Sequence, residues 1–118
     1  MKPSLILLGS TGSIGTQALE VARMHGYPVR ALAAGKNAAR MEQQIREFRP
    51  ALAAMQDEAA AADLRVRVAD LPVRVVGGET GVLEAASAEA DIALNAIVGI
   101  AGLCPTLAAI HAGHTLAL

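Results

Sequence analysis

Apolar residues along this chain come in short unbroken runs that alternate with longer stretches of helical spacing. Leu5-Ile6-Leu7-Leu8 is a continuous apolar run of the kind that a strand covered on both faces requires. It is followed by Gly9-Ser10-Thr11-Gly12-Ser13-Ile14-Gly15 and then by a helical stretch to about His25. In that stretch Ile14, Ala18, Val21 and Ala22 share one face, and Gly26 stands in the usual C-terminal position. A strand is expected at 29–33. The helix after it starts at about Ala38, carries Met41, Ile45 and Phe48 at i, i+4 and i+7, and ends before Pro50. Further along, the pattern predicts a strand at 51–55, a helix from 58 to about 68, a strand at 74–76 and a short helix around 82–86. A strand at 91–95, a helix at about 103–111 with Pro105 in its first turn, and a strand from 115 complete the chain. This alternation predicts one domain over residues 1–118: a Rossmann-like, doubly wound parallel α/β sheet of about six strands with helices on both faces.

Composition narrows the function classes. The chain has 118 residues, 53% of them hydrophobic and 18% charged, which suffices for one core and excludes disorder. A net charge of -1 gives no electrostatic case for nucleic acid or anionic lipid as a partner. The single cysteine, Cys104, excludes an intramolecular disulfide and a multi-thiolate zinc site. The apolar run near the N-terminus is too short for a signal peptide, and no apolar stretch has the length of a membrane span. No membrane partner and a reducing, cytoplasmic setting are the expectation.

The chemistry concentrates in the first turn. Gly9, Gly12 and Gly15 lie between a predicted strand and a predicted helix, so the backbone there can approach a pyrophosphate. The helix N-terminus supplies N–H donors and partial positive charge, and Thr11 and Ser13 add hydroxyls. The glycine spacing is not that of a P-loop and no lysine follows. A second signal is an absence. NAD sites place an acid about 20 residues beyond the glycines, to hold the ribose hydroxyls. No Asp or Glu occurs from Val29 to Asn37; Ala34-Gly35-Lys36-Asn37 fills that loop, with Arg40 one turn on. A 2′-phosphate suits that loop better than a free ribose hydroxyl does, so NADPH is expected over NADH. An ordinary solvated Lys36 and a helix-capping Asn37 explain the same residues equally well. Asn95-Ala96-Ile97-Val98-Gly99 suits either a nicotinamide or a plain strand end. No catalytic residue and no metal ligand are assigned: His111 and His114 have no acid or cysteine partner, and Cys104 has no base. The loop that would follow Leu118, where an open α/β sheet places reacting groups, is absent, so the chain is expected to be an N-terminal fragment.

Three blocks resemble the 1-deoxy-D-xylulose 5-phosphate reductoisomerase family. They are Leu8-Gly9-Ser10-Thr11-Gly12-Ser13-Ile14-Gly15, Ala33-Ala34-Gly35-Lys36-Asn37 and the run from Ala96 to Ile110, in order and spread over almost the whole chain. The sequence departs at Ile100, where the family usually has alanine, and at His114, where lysine is common. The resemblance implies an NADPH-dependent enzyme that turns 1-deoxy-D-xylulose 5-phosphate, a phosphosugar, into 2-C-methyl-D-erythritol 4-phosphate in non-mevalonate isoprenoid synthesis. Thr11, Gly12, Ser13 and Ile14 would hold the pyrophosphate end. Gly35, Lys36 and Asn37 would surround the 2′-phosphate, and 96–99 would lie near the nicotinamide. It also implies a magnesium or manganese ion held in a later catalytic domain, a homodimer at full length, and a fragment inactive on its own. Two alternatives stay open on the residues alone: another NADP-linked oxidoreductase such as a semialdehyde dehydrogenase, or a non-catalytic nucleotide-sensing module.

Overall fold

The computed structural model describes residues 2–96 and 115–117. The predicted helix at 103–111, residues 97–99, Cys104, His111 and His114 lie outside the described residues. Within them the chain runs β1 (Leu5–Leu8), α1 (Ser13–His25), β2 (Val29–Ala34), α2 (Ala38–Phe48), β3 (Leu52–Met55) and α3 (Glu58–Arg67). It continues through β4 (Arg74–Gly77), α4 (Gly78–Ala86), β5 (Ile92–Asn95) and β6 (Thr115–Ala117).

The six strands form one sheet in the order β4-β3-β2-β1-β5-β6, with every neighbouring pair parallel. The chain therefore moves outward in one direction from β1 to β4, crosses back over the sheet, and resumes on the other side of β1. Because crossovers are right-handed, this reversal sends the connecting helices to opposite faces. Residues of α1, α2 and α3, among them Leu19, Met41, Ile45 and Leu64, pack with Leu7, Leu32 and Met55 on one face. Residues Val82, Ala85 and Ala86 of α4 pack with Ile6, Leu8, Ala31, Ala54 and Ala93 on the other. Strand side chains alternate between the faces, so the unbroken apolar run of β1 feeds both cores. The doubly wound α/β architecture read from the pattern is the one found.

Two elements differ from the pattern. The buried face of α1 is Gly15, Leu19 and Ala22, whereas Ile14 is 60% exposed and Val21 50%. Of the four residues expected on that face only Ala22 is buried. Contact at the start of the helix decides this: a Cβ on Gly15 would come 2.1 Å from the Gly9 carbonyl oxygen, so only a bare Cα fits against the turn. That contact fixes the rotation of α1 and turns Ile14 outward. The second difference is that α4 starts at Gly78 rather than near Val82. Gly81, in its first turn, lies where a Cβ would be 3.1 Å from the Val76 carbonyl carbon, so the helix begins directly against β4.

Candidate cofactor-binding site

The reversal of strand order falls between β1 and β5, and in open α/β sheets the crevice for a ligand lies beyond the carboxyl ends of the strands at that point. There β1 runs into Gly9, and Asn95 ends β5 directly opposite Leu8. The Ala96 N–H donates to the Leu8 carbonyl at 2.7 Å, and Asn95 is buried. The glycine turn is tied down from two sides. The N–H groups of Gly9 and Ser10 both donate to the Ala33 carbonyl at the end of β2, at 2.7 and 2.9 Å. From α2, Gln44 Nε2 donates to the Ser10 carbonyl at 2.8 Å, and the buried Ser10 hydroxyl meets Met41 Sδ at 3.8 Å. With its underside fixed, the turn presents Gly12, Ser13 and Ile14 to solvent beside a half-buried Thr11. Gly12 caps α1 without a side-chain hydrogen bond, so the first N–H groups of that helix have no side-chain acceptor.

The glycines divide into two kinds. Gly9 has φ +85°, which a side chain disfavours, and Gly15 has no space for a Cβ. Both are explained by folding alone. Gly12 has an ordinary φ of -77°, and a Cβ there would meet only the Gly9 oxygen, at 3.6 Å. Gly35 has open space around the position of a Cβ. Packing does not require glycine at either place. Both are exposed, beyond the ends of β1 and β2, and a bare Cα at such places allows a ligand to approach the backbone closely.

Of the sequence-predicted residues, Thr11, Gly12 and Ser13 come together in one hollow with Thr16, Gln17 and Arg40. Ile14 is exposed beside it. Gly35 and Lys36 line a separate hollow with Gln56 and Asp57. That second hollow is built by backbone pairing: Gln56 N–H donates to Ala34 O at 2.8 Å and Asp57 N–H to Gly35 O at 3.0 Å. Asn37 caps α2, its Oδ1 accepting from the Arg40 N–H at 3.1 Å. Arg40, Gln44, Gln56 and Asp57 were not among the predicted site residues. Gln44 carried a signal, since a polar residue three positions after Met41 falls on the apolar face of α2; Gln56 and Asp57 carried none, because only strand order brings them beside Lys36. The helices also differ in charge: α3 and α4 carry Glu58 and Glu79 in their first turns, whereas α1 and α2, which start at the site, carry no acid there. This charge pattern favours an anion at α1 and α2.

Parallel strands in this order, with a glycine turn at the point of reversal, define a Rossmann-like domain with its ligand crevice at the carboxyl edge of the sheet. A family profile described as 1-deoxy-D-xylulose 5-phosphate reductoisomerase matches residues 5–118, and the chain belongs to that family. It is 48% identical to the reductoisomerase of Synechococcus sp. over 98% of its own length, which is 30% of that protein. Against the Halothermothrix orenii reductoisomerase the identity is 44%, over 100% of this chain and 32% of that one. A solved structure of the Zymomonas mobilis reductoisomerase in complex with NADPH superposes with a TM-score of 0.94 at 34% identity, covering 100% of this chain and 32% of the other. A reductoisomerase in complex with NADPH, fosmidomycin and magnesium gives 0.93 at 36%, covering 100% and 30%. The chain thus spans about a third of the length of these relatives. The family match sets aside the semialdehyde dehydrogenase alternative.

Proposed function

We propose that this chain is the N-terminal, NADPH-binding domain of a reductoisomerase acting on 1-deoxy-D-xylulose 5-phosphate. The observation that carries the reading is the pair of exposed glycines, Gly12 and Gly35, that folding does not require. They leave bare backbone at the two places where an extended dinucleotide would pass: the start of α1 for the pyrophosphate and the end of β2 for the adenosine. The relatives solved with NADPH support the choice of cofactor. Thr11, Gly12, Ser13 and Ile14 hold the pyrophosphate side; Gly35 and Lys36 flank the adenosine; Asn37 keeps the N-terminus of α2 in place between them. Bound NADPH supplies a hydride for the reduction. Among the described residues no three of His, Cys, Asp or Glu gather as metal ligands. The magnesium or manganese ion and the phosphosugar belong to the remainder of a full-length, homodimeric, cytoplasmic enzyme, and the domain alone turns nothing over. Among the described residues no helix is long and apolar enough to cross a membrane.

The test is titration of the chain with NADPH and with NADH, followed by nicotinamide fluorescence or calorimetry. The expected result is saturable binding with NADPH held at least about tenfold tighter, which corresponds to one charge-assisted contact. Equal affinities, or tighter NADH, would overturn the cofactor assignment; no binding of either would overturn the site.

A further inference from the structure

We infer that Arg40, reaching from α2 across to the glycine turn, is the residue that recognises the cofactor's 2′-phosphate and so separates NADPH from NADH. The inference rests on the NADPH reading above and names a residue which that reading leaves out. Position is the first ground. In Rossmann-like domains the adenosine ribose lies between the glycine turn and the end of the second strand, and NADP sites accommodate its phosphate with a nearby arginine. Arg40 occupies that gap: it stands in the first turn of α2, and its Nη2 lies 3.5 Å from Thr16 Oγ1 on α1. It lines the hollow of Thr11, Gly12 and Ser13, while Lys36 lines a separate one with Gly35, Gln56 and Asp57.

Availability is the second ground. Arg23, Arg46, Arg67 and Arg74 are each engaged by a carboxylate: Glu47, Glu42 with Asp70, Asp63 with Glu42, and Glu84 respectively. Arg40 has no carboxylate partner among the described residues. Its one side-chain contact, with Thr16, is at the outer limit of a hydrogen bond, and the Thr16 hydroxyl already donates to the Gly12 carbonyl at 2.7 Å. Among the described residues the other guanidinium donors of Arg40 have no hydrogen-bond acceptor. Glu20 and Glu47 line a further hollow between α1 and α2 with Arg40, and Glu47 is taken by Arg23.

Chemistry is the third. A phosphomonoester near neutral pH carries close to two negative charges and three terminal oxygens. The planar guanidinium offers two parallel donors to such a group, whereas an ammonium acts as a point charge. The ribose hydroxyl that NADH has in the same place offers only a weaker, neutral acceptor.

The chain and its Arg40→Ala, Arg40→Lys and Lys36→Ala variants are titrated with NADPH, NADH and 2′,5′-ADP, a fragment that carries the 2′-phosphate without the nicotinamide. Circular dichroism and thermal midpoints confirm that each variant is folded. Arg40→Ala is expected to weaken NADPH and 2′,5′-ADP by about 10- to 100-fold. NADH should stay within about twofold, the size of a neutral surface change. Arg40→Lys should fall between, and Lys36→Ala should cost less than Arg40→Ala. An equal loss for NADPH and NADH would move Arg40 to the pyrophosphate and overturn the inference. Unchanged NADPH binding by Arg40→Ala would overturn it too, while leaving the NADPH reading intact. A wild-type chain that does not bind NADPH would overturn that reading, and the inference with it.

Discussion

A methyl group at residue 15 would sit 2.1 Å from the Gly9 oxygen and 2.8 Å from the Ser10 Cα, backbone atoms of two residues whose N–H groups are pinned to the Ala33 carbonyl. Neither can give way, so Gly15→Ala must push α1 off the sheet. The expected cost is about 2–4 kcal/mol, the range of severe overpacking, measured as a shift of the urea midpoint. Gly35→Ala meets no neighbour and should fold as well as the wild type, within about 0.5 kcal/mol, while NADPH titration shows weakened binding. The spacing of the glycines was legible in the sequence; which of them the fold itself requires was not. That distinction depends on the few ångströms between each Cα and a backbone distant from it in the chain. Asn37 shows the same limit. Its two explanations are balanced in the sequence, and the structure shows the capping role.

Among the elements, α2 does the most to hold the site. Its apolar positions Met41 and Ile45 were evident from their spacing, and both are fully buried. Gln44, on the same face, is 8% exposed; its Nε2 serves Ser10, while its Oε1 is buried without a partner among the described residues. Gln44→Met sets two effects against each other. Losing the bond to the Ser10 carbonyl costs about 1–3 kcal/mol, and removing an unsatisfied oxygen returns a similar amount. Stability by urea denaturation should therefore change by less than about 1 kcal/mol. NADPH affinity should fall several-fold, because the turn loses its lateral tie. The face of α1 was misread because Ile14 and Val21 are large and apolar, and apolar spacing says nothing about where a helix must come close to a turn. Here a glycine won the inward position over an isoleucine.

At the scale of the molecule, the β1–β5 junction is tied at the edge opposite the carboxyl ends of the strands. Asp91 Oδ2 accepts from the Ser4 N–H at 2.8 Å and from its hydroxyl at 3.2 Å; Ile92 N–H donates to Ser4 O at 3.0 Å. These bonds, with a smaller contribution from the charge of Arg30, hold the Asp91 carboxyl below the usual carboxylate range. A lowered folded value means that the tie is fully present above the ordinary range of about 4 and is lost as pH falls through the lowered one. Asp91→Asn should therefore lower the thermal midpoint at pH 7, and the difference from wild type should shrink as pH falls below the ordinary carboxylate range. Glu42 and Asp70, whose carboxyls hydrogen bonds from Arg46 hold low, add to the same acid sensitivity. Strand alternation made the parallel doubly wound class readable. The place of β5 beside β1 comes from one crossover over the sheet, and no local pattern encodes it.

The division among the glycines also has a genetic reading. In a cell, an allele changing Gly15 would be scored as missing protein, since a chain that cannot close its first turn is cleared by proteases. On the proposed NADPH reading, an allele changing Gly35 would leave a normal band on an immunoblot and fail only in cofactor binding. A mutational screen that compares abundance with growth would therefore sort the residues of this turn and its neighbour into builders and binders without a single crystal.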